Sequence, residues 1–257
     1  MRNLSATELL TVWEKTYSQL PMQQAIDVLV AAFPEYTAEQ IMQLSIGQRD
    51  ALLLLLRERL FGTQLNSVVA CPQCQQRVEL AFNTSDIKTQ PVLAVADDSG
   101  TPPMSLTLAG YEVNFRLPNS MDLLSIAICT GAGQARMQLL NRCIHSITGT
   151  AGNNVESVNL NGDFQLPESL QEAITKCMAE ADPQANIQLA LTCPDCSHAW
   201  SAAFDIVTYL MEEIHRWAKL MLREIHTLAR AYGWCETDIL AMTTVRRRAY
   251  LELLGLG

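Results

Sequence analysis

The spacing of apolar positions changes period several times along the chain, and each change predicts a change of element. Residues 1–62 keep a helical period. Ser5 with Glu8, and Thr37 with Gln40, each form the S/T-x-x-E/Q pattern of a capping box, in which the two side chains satisfy each other's backbone N–H groups at a helix start. Pro21 suits the first turn of a helix running to about Phe33, ahead of Pro34. IGQRDALLLLLRERLF, from Ile46 to Phe61, is apolar on most sides and stops at Gly62. It predicts the central buried helix of an N-terminal helical bundle.

Past Gly62 the period shortens to two. Residues 67–70 and 77–82 read as short strands, 83–103 as a polar, proline-bearing loop, and SLTLAGYEVNFRLP (105–118) as a hairpin turning at Ala109-Gly110. Helical patterns return at 120–129 and 135–147, a Gly/Asn-rich loop covers 148–162, and a helix opens near Pro167 and runs to about Ala181. Strands follow at 187–192 and 198–204. Then Val207, Leu210, Ile214, Trp217, Met221, Ile225, Leu228 and Tyr232 recur at spacings of three and four, which predicts one long amphipathic helix stopped by Gly233. Two short helices, 236–242 and 244–254, complete the pattern.

The resulting fold class is α+β and mostly helical. An N-terminal helical region spans 1–62, paired hairpins occupy 63–90 and 187–204, an inserted α+β region lies at 91–186, and a long helix with two short ones fills 205–257.

At 257 residues, 49% hydrophobic and 18% charged, the chain is long and apolar enough to bury a substantial core. A net charge of −9 sets up no general attraction for phosphate backbones, which argues against nucleic acid as the main partner. Glu8 and Glu14 interrupt any apolar core of a secretory signal, and the apolar runs are too short to span a bilayer. A cytoplasmic protein without membrane insertion is expected.

Of eight cysteines, four change this picture. VVACPQCQQRVELAF and LTCPDCSHAWSAAFDI each place a C-P-x-C turn between strands. Ligands at i and i+3 of a tight turn bring two sulfurs together, and proline at the next position presets that turn. Cys71, Cys74, Cys193 and Cys196 are therefore expected to form one four-thiolate site, a zinc ribbon holding a structural Zn2+, since four soft ligands select zinc over hard cations and leave no position for an activated water. His198, two residues past Cys196, is not expected to ligate. Cys129, Cys143, Cys177 and Cys235 sit among apolar neighbours and read as small buried hydrophobes.

No catalytic constellation emerges. His145, His215 and His226 are isolated, and no phosphate-binding loop, HExxH or GxSxG motif is present. No catalytic residue, small-molecule substrate or further cofactor is expected. Trp217 and Trp234 are candidate interface anchors or core residues. The C-terminal helices with Arg246, Arg247 and Arg248 allow a second reading, a zinc-ribbon nucleic-acid-binding regulatory protein. The apolar Tyr250, Leu251 and Leu253 instead suit docking on the long helix.

Read in order, LRERLFG before VVACPQCQQRVELAF, then IQLALTCPDCSHAWSAAFDI, EEIHRWAKLMLREIHTLARAYGW and ILAMTTVRRRAYLELL, the sequence resembles the T4-type baseplate hub assembly chaperone family, encoded with phage tails and phage-tail-like contractile injection systems. The resemblance runs from Leu9 to Leu254. It implies a non-enzymatic assembly chaperone or structural baseplate component. Its partners would be other baseplate or tail-assembly proteins, its place the cytoplasm or an assembled particle, and its metal ligands the four cysteines named above.

Overall fold

The computed structural model describes residues 1–89, 103–149, 156–157 and 166–255. The chain opens with helices α1 (Ala6–Thr16), α2 (Pro21–Ala32), α3 (Ala38–Gln43) and α4 (Ile46–Phe61). An antiparallel hairpin of β1 (Gln64–Ala70) and β2 (Arg77–Asn83) precedes the single turn α5 (Thr84–Ile87). Next come β3 (Met104–Leu108), β4 (Tyr111–Phe115), α6 (Ser120–Ile126), α7 (Ala132–Cys143), β5 (Ile144–Gly149), β6 (Glu156–Ser157) and α8 (Glu168–Ala181). A 3-10 turn, Pro183–Ala185, leads to a second hairpin of β7 (Ile187–Thr192) and β8 (Ala199–Phe204). The chain closes with α9 (Ile206–Tyr232), α10 (Glu236–Ala241) and α11 (Thr244–Leu253). This is an α+β architecture of two compact units, Met1–Tyr36 with Ile206–Gly257, and Thr37–Asp205.

The first unit is helical and organised by α9. Its apolar stripe buries Leu210, Ile214, Ala218, Met221, Ile225 and Leu228, and Gly233 at φ 70° ends the helix in the left-handed conformation that glycine adopts without penalty. Leu10 of α1 and Ile239 of α10 join the buried cluster, with Trp217, Trp234 and Tyr250 packed around it. Trp217 and Trp234 are thus half-buried and pack against that core. The indole N–H of Trp13 donates to Nδ1 of His215 at 3.1 Å, which requires that nitrogen to be unprotonated.

The three arginines are not a continuous basic face. Arg247 is 3% exposed, its Nε 3.1 Å from Oε2 of Glu224 and its Nη1 donating to the Met242 carbonyl at 2.7 Å. Arg246 lies over the Tyr250 ring at 5.8 Å. Docking of α11 on α9 therefore uses the central charge of the run as an internal tie.

In the second unit, β3 and β4 turn through Ala109 and Gly110, both at positive φ, the conformation of a tight two-residue hairpin. β5 adds antiparallel to β4 with an irregularity at Asn114/Phe115, and β6 follows it. The sheet and α8 bury Val113, Phe115, Ile144, Ile147, Leu170 and Ile174 together. Full burial of each such side chain stabilises the fold by about 1.5–3 kcal/mol. Asp122, fully buried, anchors this region by accepting both guanidinium nitrogens of Arg116 at 2.6 and 2.9 Å and Nε of Arg142 at 2.9 Å. Those contacts outweigh desolvation and hold its carboxyl below the usual carboxylate range.

α4 also belongs to this unit. Its capping box is Ser45 with Gln48, its Ile46 N–H donates to the Pro118 carbonyl at 3.1 Å, and its Gly47 N–H donates to Oδ2 of Asp182 at 2.9 Å. Asp182 opens the turn Pro183–Ala185, so one side-chain hydrogen bond joins α4 to the segment entering β7.

Most helix boundaries expected from periodicity hold within a few residues, but the expected helix 135–147 is corrected. It ends at Cys143, and residues 144–149 form β5. Leu140, Ile144 and Ile147 fall at helical spacings, yet pairing with β4 satisfies the backbone and buries both isoleucines. Of the two expected loops, 83–103 and 148–162, residues 84–87 instead form α5, and 148–149 and 156–157 instead pair as strands in β5 and β6. Residues 90–102, 150–155 and 158–162 of those loops lie outside the described residues. No described helix is long and apolar enough to cross a membrane.

A Cβ on Gly47 would sit 1.8 Å from Oδ1 of Asp182. Gly47→Ala is expected to lower the unfolding free energy in urea by about 2–4 kcal/mol. Gly133→Ala, where an added Cβ meets nothing within 4 Å, should be neutral or stabilising by up to about 1 kcal/mol.

Burial pushes the Asp50 carboxyl up to about 6, Arg49 offsetting this only in part. An acid whose pKa rises on folding holds its proton more tightly in the native state, so its stabilising contribution is complete below about pH 4 and lost as pH climbs through about 6. From about pH 4 to about pH 7 the urea midpoint should therefore fall less, or rise more, in Asp50→Asn than in the parent, through loss of this one falling component.

Candidate metal centre

The four cysteines expected to meet do meet. Cys71 follows β1 directly and Cys74 closes the same turn; Cys193 follows β7 and Cys196 closes the second. Their ligand atoms all lie within 4.8 Å of one another. Cys71 and Cys193 are buried, Cys196 is half-buried and Cys74 is exposed. The cross-hairpin separations are 3.7 Å between the sulfurs of Cys71 and Cys196 and 3.6 Å between those of Cys74 and Cys193, partners 125 and 119 positions apart.

Those distances decide the chemistry. A disulfide requires about 2.05 Å between sulfurs, and all four thiols are free. Four thiolates placed tetrahedrally about 2.3 Å from a zinc ion have sulfurs about 3.8 Å apart. The cross-hairpin pairs lie close to that spacing, so the donor set could hold a metal ion.

Both turns are built alike. Cys71 N–H donates to the Gln76 carbonyl at 2.8 Å and Gln75 N–H to the Cys71 carbonyl at 2.9 Å. In the second turn Cys193 N–H donates to the His198 carbonyl at 2.9 Å and Ser197 N–H to the Cys193 carbonyl at 3.0 Å. Gln75 at φ 62° and Ser197 at φ 57° take the left-handed conformation usual for glycine. That strained residue folds the chain back so that backbone N–H groups face the sulfurs.

Electrostatics follows from this geometry. At Cys71 desolvation raises the thiol, but the N–H groups of Cys74 and Gln73, with the Cys74 and Cys196 thiols, outweigh it and bring the group down to about 7. At Cys74 the Gln76 N–H favours the thiolate, yet the surrounding thiols and desolvation prevail and push it up to about 12. Cys196 is also raised: the His198 N–H is outweighed by desolvation and by the Cys193 and Cys71 thiols. One thiolate forms readily and its neighbours resist further charge; a central cation makes four compatible.

Val78 completes the buried cluster with Cys71 and Cys193, and Val69, Leu80, Cys196 and Trp200 pack against it. Phe82 meets Phe204 edge-on, ring centroids 5.6 Å apart. These apolar partners were not singled out from sequence, although period-two alternation on both hairpins carried the signal. His198 stacks on Trp200 at 6.1 Å and is not in the cluster. Among the remaining cysteines Cys143 is buried and Cys177 packs against the sheet core, but Cys129 donates its thiol to Gln138 and Cys235 is exposed, its thiol 3.0 Å from Asp238. The expectation that all four are buried hydrophobes is corrected for these two, where a polar acceptor lies within reach.

A family model described as T4 bacteriophage base plate protein matches residues 4–210, a span that includes all four clustered cysteines. No curated protein matches, and neither does any solved structure.

Native mass spectrometry is expected to find one metal ion per chain, lost in the Cys71→Ser, Cys193→Ser double variant. Retention of the ion by that variant would locate it elsewhere. Removal by a chelator should lower stability by several kcal/mol, on the order of a structural metal's contribution.

Proposed function

The chain belongs to the T4 bacteriophage base plate protein family, and we propose that it is a non-enzymatic assembly chaperone or structural component of the baseplate in a contractile phage tail or phage-tail-like injection system. Its partners are then other baseplate or tail-assembly proteins, and its site of action is the cytoplasm or the assembled particle. The observation that supports a structural rather than catalytic role for this site is the closed donor set. Four cysteine sulfurs surround one point, and a tetrahedral shell of four thiolates has no position for a substrate or an activated water.

The proposed ion is zinc, because four soft thiolates favour it over calcium, magnesium or manganese. When bound, it supplies metal–thiolate bonds that turn two hairpins into one ribbon. The reading as a nucleic-acid-binding regulator is disfavoured, since Arg247, the centre of the basic run, is buried against Glu224.

The test is electron microscopy of particles from cells carrying Cys193→Ser, with immunoblots confirming that the protein persists. Few complete baseplates are expected. Normal numbers of contractile particles despite loss of the metal would separate the site from the function.

A further inference from the structure

The two hairpins meet at their cysteine turns, but no ladder joins them: among the described residues β2 pairs with β1 and β7 with β8. Between them lies a groove of about 640 Å³, lined by residues 79–82 of β2 and 187–191 of β7. That volume is within the ~300–1,000 Å³ range of ligand sites and far above a packing void. Side chains alternate along a strand, so an object lying on one face touches every second residue. Here consecutive residues of both strands line the groove, and among the described residues β2 is laddered only on its β1 side and β7 only on its β8 side, which leaves one edge of each without a strand partner.

The gap is fixed at its two ends. At one end stand the four clustered sulfurs. At the other, where α5 and the turn Pro183–Ala185 form the floor, Thr89 donates its N–H and its hydroxyl to Oε1 of Gln184 at 2.9 and 3.1 Å. β2 leaves the cysteine turn and β7 enters it, so the facing edges run in opposite directions. One inserted strand would lie antiparallel to one and parallel to the other, closing a five-stranded sheet.

The geometry points to a docking site for an extended segment of another polypeptide, held by main-chain hydrogen bonds to β2 and β7, apolar at alternate positions and carrying a basic residue. Leu80, Phe82, Ile187, Leu189 and Leu191 are half-buried and supply apolar contact. Among the described residues, Glu79 and Asp86 are the charged ones lining the groove, and no Lys, Arg or His lines it. A second copy of this chain, at net charge −9, is a poor electrostatic match. This mode, strand addition, draws affinity from the backbone and specificity from alternate side chains. The inference goes beyond the baseplate reading and does not depend on it.

The experiment pans a displayed library of random nine-residue peptides against the metal-loaded full chain and measures the best synthetic peptide by fluorescence anisotropy and hydrogen exchange. Enriched peptides should alternate apolar residues and carry Lys or Arg, and binding should slow exchange in both 79–82 and 187–191. N-methylation of alternate peptide amides should weaken binding about tenfold or more, as loss of two hydrogen bonds implies. Glu79→Lys should weaken it about tenfold, and Ala81→Trp with Ala190→Trp should block it while the urea midpoint stays unchanged. The proposal is overturned by failure to enrich any sequence, by equal affinity of the N-methylated peptide, by protection of only one strand, or by a concentration-dependent dimer that itself protects both.

Discussion

Everything around the cysteine hairpins depends on four sulfurs meeting at one point. Two-stranded hairpins are marginal alone, and each of these contributes few apolar residues to the shared cluster. Closing a loop of 119 positions opposes the meeting by about 4 kcal/mol of chain entropy. An edge-on aromatic pair such as Phe82 with Phe204 returns only about 0.5–1.5 kcal/mol beyond its area. A structural metal at such a site contributes on the order of 10 kcal/mol. By magnitude, a metal bound by the four sulfurs would exceed the closure entropy, and the sulfur arrangement is what would let one ion act on both hairpins at once.

The ligands were legible because their chemistry is local. Each C-P-x-C turn declares itself within four residues, and alternation on either side declares the strands. The long helix was equally legible, since eight apolar positions at helical spacing leave no competing period. Capping boxes at Ser5 and Thr37 were visible for the same reason, and both are formed. Residues 144–149 were not legible: Ile144 and Ile147 satisfy a helical period as well as a strand's, and only β4, which lies far back in sequence, decides between them. The left-handed Gln75 and Ser197 were hidden too, because glycine is the usual signal for that conformation and neither turn has one.

Buried charge was the other thing the pattern concealed. Arg49, Arg247 and Asp122 are each at most 3% exposed, whereas polarity in a sequence reads as surface. Each is retained because a partner satisfies it: Asp50 for Arg49, Glu224 for Arg247, Arg116 and Arg142 for Asp122. Burying either member alone would carry a penalty of several kcal/mol, so these residues act as pairs or not at all. Asp182 works by the same logic with a backbone donor, and the absent side chain of Gly47 gives it room. Gly47 and Asp182 lie 135 positions apart, and no window of sequence contains both.

The edges left without a ladder among the described residues are a consequence of how the hairpins are joined. Had β2 and β7 paired directly, their ladder would have satisfied the backbone, and the sulfurs would have been a secondary support. Instead the strands are tethered through their turns at one end and through Thr89 and Gln184 at the other, with a groove between. Unpaired edges are ordinarily blunted by lysine, proline or a covering element because they recruit other strands. The lining segments 79–82 and 187–191 contain no lysine and no proline. A frame with two edges that no strand pairs among the described residues, acidic at its margin, has the opposite property from a protected sheet. It is suited to accept a strand, and the ties at the cysteine turns and at Thr89–Gln184 reduce the ordering entropy that such an association would otherwise lose.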